Sequence, residues 1–252
     1  MGREIVMNIQ DMPGIATAFI SSSPVPALTA TLGVYLVACR LHALARRNPL
    51  ANPVAISVAL LIGLLRLTGT PYSTYFDGAR FVHFLLGPAI VALAVPLHRQ
   101  MPKLRGALVP LLAGLVAGSV TAVVSAVTIA MMLGLPARTV ASIAPKSVTA
   151  AIAMLISATI GGVPPLAATM VIATGILGAV LGSFVLGSLG VRRDDVCGFA
   201  LGIAAHGIGT ARALQISEEA GAFAGLGMAV NGVLSAFVLP VVFPIVMAWV
   251  ST

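Results

Sequence analysis

Three long tracts without a charged side chain constrain this chain more than any other feature. They cover residues 106–137, 147–191 and 220–252. A helix needs roughly 20 apolar residues to cross the hydrocarbon core of a bilayer, and each tract is long enough for at least one crossing. The chain is 59% hydrophobic and only 8% charged, whereas a soluble domain carries roughly 25% charged residues. The sequence therefore predicts an all-α polytopic membrane protein, with residues 1–252 forming a single transmembrane domain.

The apolar segments predict about seven to eight transmembrane segments in the cell (inner, cytoplasmic) membrane. Residues 1–23 contain four charged or helix-breaking positions and no continuous apolar stretch, so we expect an extramembrane N-terminal segment rather than a signal peptide. The predicted spans are 24–44, 53–67, 81–98, 106–133, 139–160, 164–190, 196–217 and 222–250.

Basic residues cluster in two short loops, after the first and the third predicted span. These residues are Arg40, Arg46, Arg47, Arg99, Lys103 and Arg105. Because basic loops face the cytoplasm, both loops should be cytoplasmic and the N-terminus should lie outside. Strict alternation would then put Arg192 and Arg193 outside, so either the rule is weak there or one segment is re-entrant. The net charge is +7, but no aromatic residues are interleaved with the basic ones. No nucleic-acid partner is therefore expected.

Three of the predicted spans are unlike ordinary membrane helices. Segment 81–98 contains Gly87-Pro88, segment 139–160 contains Pro145-Lys146-Ser147, and segment 196–217 contains the glycine-rich stretch 205–212. Proline removes an amide donor and glycine lets the backbone leave helical geometry. In a membrane, broken backbone survives only where it is buried in protein or lines a cavity, and paired broken helices indicate a transporter's binding site. The pattern favours broken or half helices in an inverted-repeat transporter architecture.

Positive charge dominates the interior of these segments. Lys146 and Arg212 are the basic residues inside a span from residue 106 onward, His206 accompanies Arg212, and no Asp or Glu lies mid-span. Ionisable residues at this depth are usually functional. Pro145 suits a first helical position and Thr210 an N-cap, and helix N-termini attract anions. We therefore predict an anion site in one cavity, formed by Pro88, Pro145, Lys146, Ser147, Thr149, His206, Gly207, Gly209, Thr210 and Arg212.

Other interpretations of the same residues stay open. Lys146 and Arg212 could reach a membrane interface along their aliphatic stems, and His206 could be a structural hydrogen-bonding residue. An enzyme is not expected, because the chain has no HExxH motif and no intramembrane carboxylate. No cofactor, metal site or disulfide is expected either, since Cys39 and Cys197 lack partner spacing.

Pairs of glycines four residues apart predict close helix contacts, and we expect them to support a homodimer. The pairs are Gly114/Gly118, Gly178/Gly182 and Gly198/Gly202.

Four stretches resemble the LrgB (CidB-like) family of membrane proteins, and together they cover the chain from about residue 30 to its end. They are Tyr72–Gly78 (YSTYFDG), Leu86–Leu97 (LGPAIVALAVPL), Ala144–Thr149 (APKSVT) and His206–Ala213 (HGIGTARA). The sequence departs from the family pattern at Ala151, where proline is frequent, and at Ala205, where serine is frequent.

The resemblance implies two functions of different classes. Bacterial members are described as holin- or antiholin-like modulators of murein hydrolase activity and autolysis, acting with a small LrgA/CidA-type membrane partner. A plastid relative exchanges glycolate for glycerate, and bacterial members are linked to pyruvate movement. The site predicted from the residues favours transport of a small monocarboxylate.

Overall fold

The computed structural model describes residues 24–45, 48 and 51–250, and helices are the only regular elements among them. The predicted extramembrane segment 1–23, as well as Arg46 and Arg47 of the first basic loop, lie outside these residues. The chain divides into two compact units, Met1–Val91 and Ala92–Thr252, which are described separately.

The first unit contains helices α1 (Val25–Leu44), α2 (Pro53–Thr68) and most of α3 (Tyr72–Ala92). Asn52 caps α2, since its Oδ1 accepts a hydrogen bond from the amide of Val54 at 2.8 Å, and Gly69 ends α2 with a φ of 63°. Helix α1 packs against α3, where the hydroxyls of Thr31 and Tyr75 are 2.8 Å apart.

Helix α3 differs from the prediction in where it begins. It starts at Tyr72 rather than at residue 81. The predicted span omitted its first three turns because they carry Asp77 and Arg80, which interrupt the apolar stretch. Pro88 lies inside this helix, but the chain bends between Val82 and Gly87, so the predicted break at Gly87-Pro88 is present as a bend rather than as a helix end.

The second unit contains eight helices within the described residues. Among the described residues, four helices, α1, α6, α9 and α11, are long and apolar enough to cross a membrane, and the bent segment 72–99 is a fifth candidate, which confirms the polytopic prediction. The second unit consists of α4 (Ala94–Arg99), α5 (Met101–Gly106), α6 (Leu108–Met132), α7 (Ala137–Ile143), α8 (Ala150–Thr159), α9 (Pro164–Ser188), α10 (Asp194–Ile216) and α11 (Glu218–Val250).

The segment predicted as the span 139–160 is a hairpin of two short helices, α7 and α8. Its ends lie together, because the hydroxyl of Ser142 accepts a hydrogen bond from the amide of Val163 at 2.7 Å. A straight helix would separate residues 142 and 163 by about 32 Å. The chain therefore reverses at residues 144–149, which we call tip 1. Both legs are shorter than a bilayer crossing, so the hairpin is re-entrant.

Helix α10, predicted as the span 196–217, is a second hairpin. Ala205 and His206 have non-helical backbone angles in its middle. A Cβ built on Gly198 would overlap the carbonyl of Ala220, and one on Gly221 would lie 3.2 Å from Cα of Leu214. Residues 198 and 214, about 24 Å apart in a straight helix, thus flank the same turn of α11. The chain reverses at 205–207, which we call tip 2.

The two hairpins enter the second unit from opposite ends. The open end of the first lies between the end of α6 and the start of α9, and that of the second lies between the end of α9 and the start of α11. Helices α6 and α9 each have 25 residues, and the hairpins 137–159 and 194–216 are of equal length. A long helix followed by a re-entrant hairpin therefore occurs twice with inverted direction, as expected for an inverted repeat.

The orientation of α6 agrees with this inversion. Gly114 near its start lies against Phe199 of the second hairpin, while Ala130 near its end packs with Val140 of the first. Helix α6 thus runs antiparallel to α9, which begins beside the first hairpin and ends beside the second. This is the arrangement that inverted repeats require.

Charged residues gather at the open end of the second hairpin. Arg99 pairs with Glu218 at 2.8 Å, and Lys103 pairs with Glu219 at 2.5 Å. Arg193 donates to Asp195 in the first turn of α10, and these hydrogen bonds, with Lys103 adding to them, lower the pKa of the Asp195 carboxyl.

The re-entrant geometry of both hairpins resolves the charge conflict in the sequence. Arg193 lies at the same end of the unit as Arg99 and Lys103, because the second hairpin returns to its own side. The opposite open end carries Arg138. The distribution now agrees with the positive-inside rule if the open end of the second hairpin is cytoplasmic.

The three glycine pairs make close helix contacts within the chain. A Cβ on Gly118 would lie 3.2 Å from Ile203, and one on Gly178 would lie 2.5 Å from Ala205. Gly202 contacts the backbone of Ala224 in the same manner. The predicted close contacts are therefore confirmed, but these faces are already covered, and the homodimer stays a prediction.

Candidate anion site where two hairpins meet

Tip 1 is a non-helical turn rather than the start of a helix. Pro145 is fully buried in this turn, so the prediction that it occupies a first helical position is wrong. Helix α8 begins only at Ala150, after Thr149, whose backbone is extended and whose side chain makes no cap hydrogen bond. The turn is closed by two backbone hydrogen bonds. The amide of Lys146 donates to the carbonyl of Ile143, and the amide of Val148 donates to that of Pro145.

Lys146 projects from tip 1 and is half-buried. Its ammonium lies 3.4 Å from the hydroxyl of Ser147, which is itself buried. The charge also lies just beyond the carboxyl end of α7, where the helix dipole stabilises a cation. Lys146 is therefore held at the reversal of the hairpin and not at its open end.

Tip 2 is built around His206. This residue has a φ of 42° and is the one non-glycine residue with positive φ in the described chain. Its buried Nε2 donates to the carbonyl of Val171 on α9 at 2.9 Å. Gly175, near the centre of α9, leaves room for the ring, because a Cβ there would lie 2.7 Å from Nε2.

Gly207, the last residue of tip 2, is also the first residue of the leg that follows it. Thr210 lies one turn further on and donates its hydroxyl to the carbonyl of His206 at 2.9 Å, so the predicted N-cap role of Thr210 is wrong. Gly209 lets this leg approach the first, since a Cβ there would overlap the carbonyl of Leu201. The amides of the first turn of this leg, Gly207 to Gly209, have no carbonyl of the same leg one turn before them.

Arg212 lies between one and two turns beyond tip 2 and is half-buried. Its Nη1 donates to Gln215 at 3.0 Å, while its Nε is buried without a hydrogen-bond partner. A buried donor of a charged group without an acceptor is costly. Arg212 therefore has capacity to bind one further acceptor.

Asn231 of α11 joins the two tips, and the sequence analysis missed it. Its Nδ2 donates to the carbonyl of Ser147 in tip 1 at 3.1 Å and to that of Ile203 before tip 2 at 3.2 Å. Its Oδ1 accepts from Ser119 of α6 at 2.7 Å. An uncharged amide inside the apolar tract 220–252 was the available signal in the sequence.

Six of the ten predicted site residues lie in the two tips, and three more, Gly209, Thr210 and Arg212, follow tip 2 on the second leg of its hairpin. The tenth, Pro88, lies in the first unit and is exposed. A cavity of about 480 Å³ lies between α6 and the first leg of α10, and one of about 290 Å³ lies between α6 and α11. Neither cavity is lined by a predicted site residue. Within the described residues, no three His, Cys, Asp or Glu side chains form a metal-binding group.

These features define a polytopic α-helical membrane protein whose chain reverses within two helical hairpins. The chain belongs to the LrgB-like family, whose model matches residues 31–245. No solved structure matches the chain.

Curated relatives cover most of the chain. It is 32% identical to the holin-like protein CidB of Staphylococcus epidermidis over 194 residues, 77% of this chain and 85% of that protein. It is 30% identical to the antiholin-like protein LrgB of Bacillus mycoides over 197 residues, 78% of this chain and 86% of that protein. It is also 34% identical over 214 residues to the uncharacterized protein YxaC of Bacillus subtilis, 84% of this chain and 92% of that protein.

Proposed function

We propose that this protein transports small organic anions, namely monocarboxylates such as glycolate, glycerate or pyruvate. The observation that carries the proposal is the meeting of two oppositely directed hairpins at Asn231. Inverted repeats with binding groups on broken helices near the midplane are the architecture of many secondary transporters.

The polarity of the four hairpin legs supports an anion as the ligand. The first legs end at the tips, so their carbonyl groups are directed there, and Asn231 donates to the carbonyls of Ser147 in tip 1 and of Ile203 just before tip 2. The second legs begin at the tips, at Ala150 and Gly207. Their free amides carry about half a positive charge per helix and remain to bind an anion.

The side chains add charge of the same sign. Lys146 lies at tip 1 and Arg212 lies about 8 Å along the second leg from Gly207. No Asp or Glu lies within tip 1 or tip 2. A carboxylate would supply an acceptor for Arg212 Nε, which has no partner. The remaining residues of the proposed site are Pro145, Ser147, Thr149, His206, Gly209 and Thr210.

Uptake into liposomes tests the proposal. Purified protein is reconstituted alone, and entry of labelled glycolate, glycerate, pyruvate and lactate is measured with and without an imposed anion gradient. We expect saturable uptake of at least one of these anions, with competition by the others. Absence of uptake of all four, with the protein correctly inserted, would contradict the proposal.

A second candidate function comes from the names of two relatives. They are called holin-like and antiholin-like, which supports a regulator of murein hydrolase activity and autolysis that acts with an LrgA/CidA-type partner. The two candidates differ in their dependence on Lys146. If autolysis in cells changes on deletion of the gene and is restored to the wild-type level by a Lys146→Gln variant with impaired uptake, the regulatory function is independent of transport.

A further inference from the structure

Asn231 occupies a special position relative to the inverted repeat. The two carbonyls that it binds belong to Ser147, within tip 1 of the first hairpin, and to Ile203, two residues before tip 2 of the second hairpin. Asn231 itself lies on α11, outside both repeats. One carboxamide therefore contacts both hairpins close to their tips.

The hydrogen-bonding capacity of this carboxamide is fully used. Both hydrogens on Nδ2 have an acceptor, and Oδ1 accepts from Ser119, with Ser235 at 3.5 Å. The residue is only 1% exposed. A primary amide provides two donors on one atom, which neither a hydroxyl nor a carboxylate does. The two hydrogen bonds to Ser147 and Ile203 thus require the NH₂ group of asparagine, which serine and aspartate lack.

We propose that Asn231 is a positioning residue, whose carboxamide holds both hairpin tips in place so that Lys146 and the second-leg amides bind the same anion. This inference rests on the proposed transport function for its kinetic consequence. Its structural part, the coupling of the tips, does not depend on transport. Asn231 does not contact the anion and acts through the tips.

The decisive variant is Asn231→Asp, which keeps the shape but removes both donors. The ionised carboxylate would face two carbonyl oxygens, whereas the protonated acid donates one hydrogen bond. Uptake kinetics are measured in liposomes with equal pH on both sides, from pH 8 to pH 5. We expect the half-saturation concentration at pH 8 to rise about tenfold over wild type and to recover severalfold by pH 5.

Two further variants separate positioning from a general packing role. Asn231→Ser is too short to reach both carbonyls, so it should raise the half-saturation concentration without recovery at low pH. The matched control Ser119→Ala removes the partner of Oδ1 but leaves both donors, and it should stay within about threefold of wild type. If Asn231→Asp is unstable at pH 8, it is prepared at pH 5, and Asn231→Ser supplies the comparison at pH 8.

Spin-label distances test the coupling without transport. Labels are placed on Ala151→Cys and Ala204→Cys, which are exposed residues beside the two tips, after replacement of Cys39 and Cys197 by serine. We expect a narrow distance distribution with Asn231 and a broader one with Asn231→Asp at pH 8. If the distance distribution broadens in Asn231→Asp but the wild-type protein transports no anion, the proposed transport function is wrong and the coupling of the two tips by Asn231 is supported. Unchanged distances and unchanged half-saturation in both Asn231 variants would overturn the inference.

Discussion

The Nε2 atom of His206 lies 2.9 Å from the carbonyl oxygen of Val171, which fixes tip 2 of the second hairpin against the middle of α9. Because a carbonyl only accepts, the hydrogen resides on Nε2 and the ring orientation is set. The same residue has a φ of 42° and a ψ of −132°, a conformation favourable only for glycine. The reversal of the chain thus depends on a strained residue retained by its side chain.

The backbone strain at His206 predicts an unusual order of stabilities. Both His206→Ala and His206→Gly lose the bond to Val171, but only glycine adopts the native angles without cost. We expect His206→Gly to be more stable than His206→Ala by about 1 kcal/mol, measured by thermal unfolding in detergent. Ala204 is the control, because its backbone is helical and alanine is more favourable there than glycine. Ala204→Gly should therefore be less stable than wild type by about 0.5–1 kcal/mol. Equal stability of the two His206 variants would contradict the described reversal.

Gly175 should not tolerate a methyl group. A Cβ there would lie 2.7 Å from the His206 ring and 2.8 Å from Ile208, so Gly175→Ala must displace tip 2. We expect a loss of about 1–3 kcal/mol in unfolding free energy, together with reduced uptake. Gly187 lies on the same helix with no atom near its missing Cβ, and Gly187→Ala should be neutral or stabilising. A Gly175→Ala variant as stable and active as Gly187→Ala would refute the packing of His206 against α9.

Neutral replacements of the basic site residues should weaken anion binding while leaving the fold intact. Two positive charges ~8 Å apart repel by about 2 kcal/mol at an effective dielectric near 20, and a bound carboxylate reverses this sign. We expect Lys146→Gln and Arg212→Gln each to raise the half-saturation concentration at least about tenfold. Arg138→Gln removes the same charge from an exposed position at the open end of the first hairpin, and it should change little. Unchanged uptake in the double variant Lys146→Gln/Arg212→Gln would exclude the site.

The re-entrant hairpins predict which residues face the same side of the membrane. Single cysteines at Ala137 and Thr159 should react with an impermeant thiol reagent from one side, and cysteines at Arg192 and Gln215 should react from the other. Each test uses a background in which Cys39 and Cys197 are serine. The basic end should be cytoplasmic. Labelling of Ala137→Cys and Thr159→Cys from opposite sides would mean that segment 137–159 crosses the bilayer.

Hydropathy and helix breakers in the sequence were sufficient for the membrane class and for much of the secondary structure. The predicted spans 106–133 and 164–190 correspond to helices Leu108–Met132 and Pro164–Ser188. These boundaries could be predicted from the sequence because the cost of burying charge in hydrocarbon depends only on the residues of each segment. The same logic identified the breaks near Lys146 and His206, since proline and glycine act on their own backbone.

Only the tertiary structure decided how the chain continues after each break. A continuous span and two half-length legs contain the same apolar residues, so hydropathy does not distinguish a crossing from a hairpin. Contacts such as Ser142 with Val163, or Gly198 with Ala220, show the reversals. The assignment of Pro145 and Thr210 as helix-start residues was wrong for this reason. Asn231 was missed because its significance lies in two carbonyls that are 84 and 28 residues away along the chain, and such pairings arise only when the hairpins pack around α11.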